Sequence, residues 1–213
     1  MVDDGSTDRT AEMARAALAG WPRARVLSNP GNRGKGYSIR HGVLEARGEL
    51  VLVTDADLST PIEDAPRLLD ALAKQGGRGV AIGSRGLAAS RVEVHQNPVR
   101  EAMGKVFNRI VRAITRLPFA DTQCGFKLMS RADVMPIFQK SRIDGFSYDV
   151  ELLYVAVRRG LAVVEVPVTW RDAPGSKVGI LSDPMRMLRD VWRIRRWHAS
   201  GVYGGGEERA DGA

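Results

Sequence analysis

The run Leu50-Val51-Leu52-Val53-Thr54 ends in Asp55-Ala56-Asp57, and that junction limits the possible folds more than any other stretch of the chain. Five strand-favouring residues in a row read as a parallel strand buried on both faces. Acids at its carboxyl end place a polar site at the sheet edge where open α/β proteins bind ligands. Neighbouring carboxylates repel each other, so a cation is their natural occupant. Hard oxygen donors suit Mg²⁺ or Mn²⁺, and Mg²⁺ commonly takes one or two carboxylates plus substrate phosphates. The junction therefore predicts a metal–diphosphate site.

Around this strand, apolar runs alternate with helical patterns. Helices are expected over 7–18, 36–46, 61–74, 99–114, 148–158 and 184–197. Strands are expected over 25–27, 49–54, 79–83 and 162–168, and 121–129 is mixed. Such alternation predicts an α/β fold, a mostly parallel sheet flanked by helices. The 213 residues, 44% of them hydrophobic, suit a single domain over 1–200 with a sizeable core. The Gly- and charge-rich stretch 201–213 reads as a disordered tail. Met1-Val2 leaves no room for a full strand of about five residues before Asp3-Asp4. The first strand and helix are therefore expected to lie upstream of Met1.

No run approaches the roughly 18 apolar residues of a membrane span, and no signal peptide is visible. One cysteine, Cys124, excludes an internal disulfide, and His41, His95 and His198 are too scattered for a zinc site. A cytoplasmic location is expected. The net charge of +7 points to phosphate-bearing partners: nucleic acid, anionic lipid or a phosphorylated small molecule. Arg186, Arg189, Arg193, Arg195 and Arg196 crowd one C-terminal helix among Met185, Leu188, Val191, Trp192 and Trp197. That mixture reads either as an interfacial helix or as a packed terminal helix with a solvated basic face.

Val2-Asp3-Asp4-Gly5-Ser6-Thr7-Asp8 resembles the second-strand motif of family 2 glycosyltransferases, and Asp55-Ala56-Asp57 resembles that family's metal-binding acids. Asp121-Thr122-Gln123-Cys124-Gly125-Phe126-Lys127-Leu128, Tyr148-Asp149-Val150-Glu151 and Trp170…Gly175-Ser176-Lys177 narrow the resemblance. They look like dolichyl-phosphate β-glucosyltransferases and bacterial polyprenyl-phosphate relatives. The resemblance covers about residues 2–198. It implies the GT-A, Rossmann-like fold and inverting transfer of a hexosyl group, typically from UDP-glucose, to a polyprenyl or dolichyl phosphate.

What the resemblance implies for individual residues follows from the same motifs. Asp55 and Asp57 would hold Mg²⁺ or Mn²⁺ against the diphosphate. Asp3 and Asp4 would meet the nucleotide, since a carboxylate can accept the imide N–H of uracil. Lys35, in the Gly-rich start of a helix, would contact nucleotide or phosphate. Gln123 would help shape the sugar pocket, and Ser176-Lys177 would clamp the diphosphate. Arg85, Arg91 and Arg100 would face the acceptor phosphate or the donor diphosphate. Asp149 would position the acceptor, with proton removal as its second possible role. Ser59 stands where mannosyltransferase relatives often carry a glutamine, so no third protein ligand is expected there. The expected location is peripheral, at the cytoplasmic face of a membrane, through the basic C-terminal helix.

Other readings compete. A soluble acceptor would suit the same fold, and a chain lacking its first strand could be an inactive fragment. A haloacid-dehalogenase-type phosphatase also carries Asp-x-Asp after a strand, but wants Thr or Val where Ser59 stands and leaves Asp4 without a role. No nucleic-acid-binding motif is recognisable, and no such partner is expected.

Overall fold

Three strands of the central sheet run one way and a fourth runs against them. The computed structural model describes residues 1–94, 98–172 and 182–204. In chain order the elements are β1 (Val2–Asp3), α1 (Thr10–Leu18), β2 (Leu27–Ser28), α2 (Lys35–Glu45), β3 (Leu50–Val53), a 3₁₀ turn (Ile62–Asp64), α3 (Ala65–Lys74), β4 (Val80–Ser84), β5 (Arg91–Val94), α4 (Pro98–Thr115), β6 (Lys127–Ser130), α5 (Arg131–Phe138), α6 (Tyr148–Arg158), β7 (Val163–Pro167), β8 (Thr169–Arg171) and α7 (Ser182–Ala199). The sheet order is β3-β6-β4-β7. β6 is antiparallel to both neighbours, and β4 and β7 are parallel. Two parallel pairs, β1–β2 and β5–β8, stand apart from it.

Both faces of the sheet are covered, as the unbroken apolar run of β3 requires. On one face Val51, Val53, Val80, Ile82 and Met129 join residues of α2, α4, α5, α6 and α7. On the other, Ala81, Phe126, Leu128 and Val166 meet Leu68 and Leu72 of α3. Successive residues alternate between the two clusters because strand side chains have a period of two.

The structure departs from the sequence reading where local chemistry or tertiary contact prevails. α1 starts at Thr10 rather than at 7: Arg9 is its N-cap, and the Asp8 carboxylate just before it accepts from the Thr10 amide. The mixed stretch 121–129 divides into a loop and the reversed strand β6. The short β5 and β8, and α5 with Pro136 inside it, carried too little periodicity to be read. In α4 only part of the apolar stripe is buried: Phe107 and Val111 enter the core, while Val106 and Ile110 stay exposed. Residues 201–204, expected to open the tail, are instead packed on the domain. Tyr203 is 2% exposed, and its hydroxyl donates to Glu151 at 2.6 Å. Residues 205–213 lie outside the described residues.

Glu151 is entirely buried. Its carboxylate also accepts the Arg142 amide at 2.9 Å and the Ile143 amide at 3.1 Å. It therefore links α6, the loop before it and the C-terminal turn. Burial pushes its carboxyl up from the ordinary value, against those three donors. Replacing Glu151 with alanine leaves the buried Ile143 amide and Tyr203 hydroxyl without their acceptor, each costing about 1–3 kcal/mol, and removes the bond to the part-buried Arg142 amide. Urea unfolding of Glu151→Ala is expected to show a loss of about 3 kcal/mol or more.

Candidate active site

The carboxyl ends of β3 and β4 and the amino end of β6 meet at one rim, because β6 is reversed. β3 carries Asp55 and Asp57 just beyond its end, β4 carries Arg85, and the loop before β6 carries 121–126. The first turn of α6 brings Tyr148 and Asp149 to the same rim.

The peptide after β3 folds back at once. Leu58 has φ +51°, its amide donates to the Asp55 carbonyl at 3.1 Å, and the Ser59 amide donates to Asp57 Oδ1 at 3.0 Å. This turn leaves Asp57 exposed and Asp55 half-buried. Lys35 Nζ lies 2.7 Å from Asp55 Oδ1 and 6.0 Å from the Tyr148 ring centroid. Burial lowers the affinity of Lys35 for its proton, but the Asp149, Asp55 and Asp57 carboxylates outweigh this and push it up.

Gly125 permits that arrangement. A Cβ there would stand 2.1 Å from Asp55 Oδ2, so only glycine leaves room for the carboxylate. Among the described residues no three His, Cys, Asp or Glu side chains converge on one point. Two carboxylates are what the protein offers here. Their hard oxygens fit a divalent cation that draws its remaining ligands from substrate phosphates and water.

Asp4 turns its carboxylate to the protein. Oδ1 accepts from Asn29 Nδ2 at 2.8 Å and from the Arg33 amide at 2.9 Å; Oδ2 accepts from the Gly34 amide at 2.9 Å. Burial pushes its carboxyl up, but these donors and Ser38 outweigh it and hold it below the ordinary value. Asp4 thereby shapes the loop that presents Lys35. Gly34, at φ +101°, completes the loop where a Cβ would meet the Asp144 carbonyl oxygen at 2.5 Å. Asp3 is buried and accepts the Ser6 amide at 3.4 Å.

Arg85 is clamped by Asp121. Nε donates to Oδ2 at 2.6 Å, a terminal nitrogen to Oδ1 at 3.0 Å, and the Arg85 amide to Oδ2 at 3.1 Å. The guanidinium lies 5.4 Å from the Trp170 ring centroid. The same Asp121 accepts the Gln123 amide at 3.0 Å, which sets the course of the signature loop. Arg91 is exposed in β5, away from these contacts. The Arg100 side chain and the Ser176-Lys177 pair lie outside the described residues.

Asp149 is 3% exposed. Its Oδ1 accepts from Lys127 Nζ, which also donates to the Cys124 carbonyl. Burial pushes the Asp149 carboxyl up, and Lys127 and Lys35 oppose that push. The sequence reading assigned no role to Lys127, Asp121 or Tyr148. A lysine within the apolar stretch Phe126-Lys127-Leu128-Met129, at the start of β6, is the signal for the first. Cys124 is buried beside Thr60, and burial raises its thiol, which suits a small core residue better than a nucleophile.

Two predictions follow from this geometry. Gly125→Ala is expected to fold but to bind Mn²⁺ at least about tenfold more weakly, because Asp55 must move by more than a hydrogen bond tolerates; Mn²⁺ titration by electron paramagnetic resonance measures it. The second concerns Asp121, where burial raises the carboxyl but Arg85 and two amides bring it down from 3.8 to about 2. Its lowered value contributes about 2 kcal/mol above the unfolded value, lost as pH falls through about 2. Asp121→Asn is therefore expected to be less stable by about that amount near neutral pH. The gap to the parent should close progressively below pH 3.8 in a series of urea melts.

A family model described as glycosyl transferase family 2 matches residues 1–138. The dolichyl-phosphate beta-glucosyltransferase of Saccharomyces cerevisiae is 32% identical over 95% of this chain and 65% of its own length. The protein of the same name from Homo sapiens is 31% identical over 95% and 64%. The chain thus spans slightly less than two thirds of the length of these relatives. Among solved structures, glucosyl-3-phosphoglycerate synthase from Mycobacterium tuberculosis in complex with uridine diphosphate superposes with a TM-score of 0.64. It is 22% identical and covers 97% of this chain and 69% of its own. A complex of that synthase with Mn²⁺, UDP-glucose and phosphoglyceric acid gives a TM-score of 0.60 at 20% identity, with 97% and 69% covered. The fold is accordingly GT-A, and the chain belongs to glycosyl transferase family 2.

Proposed function

We propose that the chain transfers a glucosyl group, with inversion, from UDP-glucose to a polyprenyl or dolichyl phosphate at the cytoplasmic face of a membrane. The observation that carries this reading is the rim itself. It sets two carboxylates, a lysine and an arginine around a buried acid, in a chain whose relatives are named for glucosyl transfer to dolichyl phosphate.

In this reading Asp55 and Asp57 hold Mg²⁺ or Mn²⁺ against the donor diphosphate. The ion would neutralise charge on the departing nucleoside diphosphate. Lys35 adds positive charge beside the same phosphates, and Asp3 and Asp4 shape the nucleotide wall. An oxygen of the acceptor phosphate attacks the anomeric carbon from the face opposite the diphosphate, and the bond to the diphosphate breaks. The second pKa of a phosphomonoester is about 6, so near neutral pH the acceptor is mostly a dianion and already nucleophilic. A strong base is unnecessary. Asp149 accordingly acts by orientation, while Arg85 supplies a cation for the acceptor phosphate; the same role for Arg91, which stands away from the rim contacts, and for Arg100 rests on the family resemblance alone. Ser176 and Lys177 are assigned to the diphosphate.

The membrane part of the proposal draws support from α7. Met187, Val191 and Ile194 are buried, while Met185 and Trp192 are 71% and 59% exposed. Arg186, Arg189, Arg193, Arg195 and Arg196 are exposed, with Arg195 5.7 Å from the Trp192 ring centroid. Exposed apolar side chains among arginines suit an anionic bilayer surface. No helix among the described residues is long and apolar enough to cross a membrane.

The test uses radiolabelled UDP-glucose, the full chain, and vesicles containing polyprenyl phosphate and anionic lipid. Label is expected in the lipid extract, lost with EDTA and restored by Mn²⁺ or Mg²⁺. Label transferred only to a soluble phosphorylated acceptor such as 3-phosphoglycerate would replace the lipid acceptor with a soluble one. Binding of UDP without transfer to either would mark the chain as inactive by itself.

A further inference from the structure

Lys127 occupies a place where an apolar residue would serve. It stands in β6 with Val53 and Ile82 as its strand partners. It shares a face with Met129 and is 1% exposed. Swapping a buried ion pair for well-packed apolar side chains is often neutral or stabilising. A pair retained at a site rim therefore asks for another reason.

The partners of Lys127 supply one. Its Nζ donates to the carbonyl of Cys124 and to Oδ1 of Asp149. Cys124 immediately precedes Gly125, the residue against which the Asp55 carboxylate rests. Val53, its β3 partner, runs within two residues into Asp55. One ammonium thus joins the loop that seats Asp55 to the helix that carries Asp149. Two of its three donors are fixed by these bonds.

We propose that Lys127 is a positioning residue for transfer: it holds the Asp149 carboxylate at a set distance and angle from Asp55, without itself touching donor or acceptor. This rests on the glucosyl-transfer reading above. A planar guanidinium cannot reproduce the arrangement, because arginine presents its donors in a wider, rigid fork. Arginine keeps the charge while changing the geometry.

The experiment uses the full chain with Mn²⁺, UDP-glucose and vesicles bearing polyprenyl phosphate. Lys127→Arg is expected to keep its melting temperature and its Mn²⁺–UDP affinity. Its kcat should fall at least about tenfold with KM for UDP-glucose changed by less than about twofold. A kcat within about twofold of the parent would overturn the proposal. The double variant Lys127→Met/Asp149→Asn leaves neither partner charged and unpaired. It is expected to lose no more transfer than Asp149→Asn alone, because Lys127 acts through Asp149. A further loss beyond about tenfold would show that Lys127 acts on transfer by a route other than Asp149, through the Cys124 loop or the substrate, and would overturn the proposal.

An infrared measurement separates this inference from the reading it rests on. The parent minus Asp149→Asn spectrum isolates the Asp149 carboxyl band. In Lys127→Arg that band is expected to shift, and an unchanged band would overturn the positioning role even if the parent transferred no glucose. Failure of the parent to transfer glucose, with the band shifted, would refute the reaction and leave the Lys127–Asp149 geometry standing.

Discussion

The buried attraction between Lys127 and Asp149 is the constraint on which the rim depends. Neither charge is tolerable in that setting alone, since an unpaired ion in an apolar interior costs several kcal/mol. Together they are tolerable only in one geometry, with the Cys124 carbonyl as the second acceptor. That geometry fixes where the loop before β6 meets the start of α6, and the loop in turn fixes the seat of Asp55 through Gly125.

Around this pair, charge is distributed by the same rule at each position. Lys35 faces Asp55, Arg85 faces Asp121, and Asp4 faces the amides of its own loop. The carboxylates differ in exposure, and so in what they can do. Asp57 and Asp55 reach solvent, whereas Asp149 and Asp121 are 3% and 7% exposed. The first two are available to a cation that arrives with a substrate. The second two are buried against Lys127 and Arg85.

Much of this was legible in the chain. The run Leu50–Thr54 and its two acids located the rim, and the helix over Tyr148–Arg158 has the limits its pattern predicted. The carboxylates of Asp55, Asp57 and Asp149 surround Lys35, and Arg85 lies within electrostatic reach of Asp149. What escaped is what depends on topology. β6 is four residues long and reversed, so its direction has no local signature. The engagement of Asp4 by Asn29 and Gly34 spans 25 and 30 residues, a separation that no periodicity reports. Exposure of Val106 and Ile110 in α4 depends on how wide a groove the neighbouring elements offer, which the helix's own stripe cannot reveal.

The reversal of β6 carries one more consequence. The loop over 120–126 is hydrogen-bonded into the sheet at both ends. Glu165 of β7 accepts the amides of Ala120 and Asp121 at 2.8 and 3.0 Å, and β6 locks the far end between two strands. A span tethered in this way behaves as a rigid sill rather than a hinged flap. Its path is set by the sheet at one end and by the Glu165 carboxylate at the other.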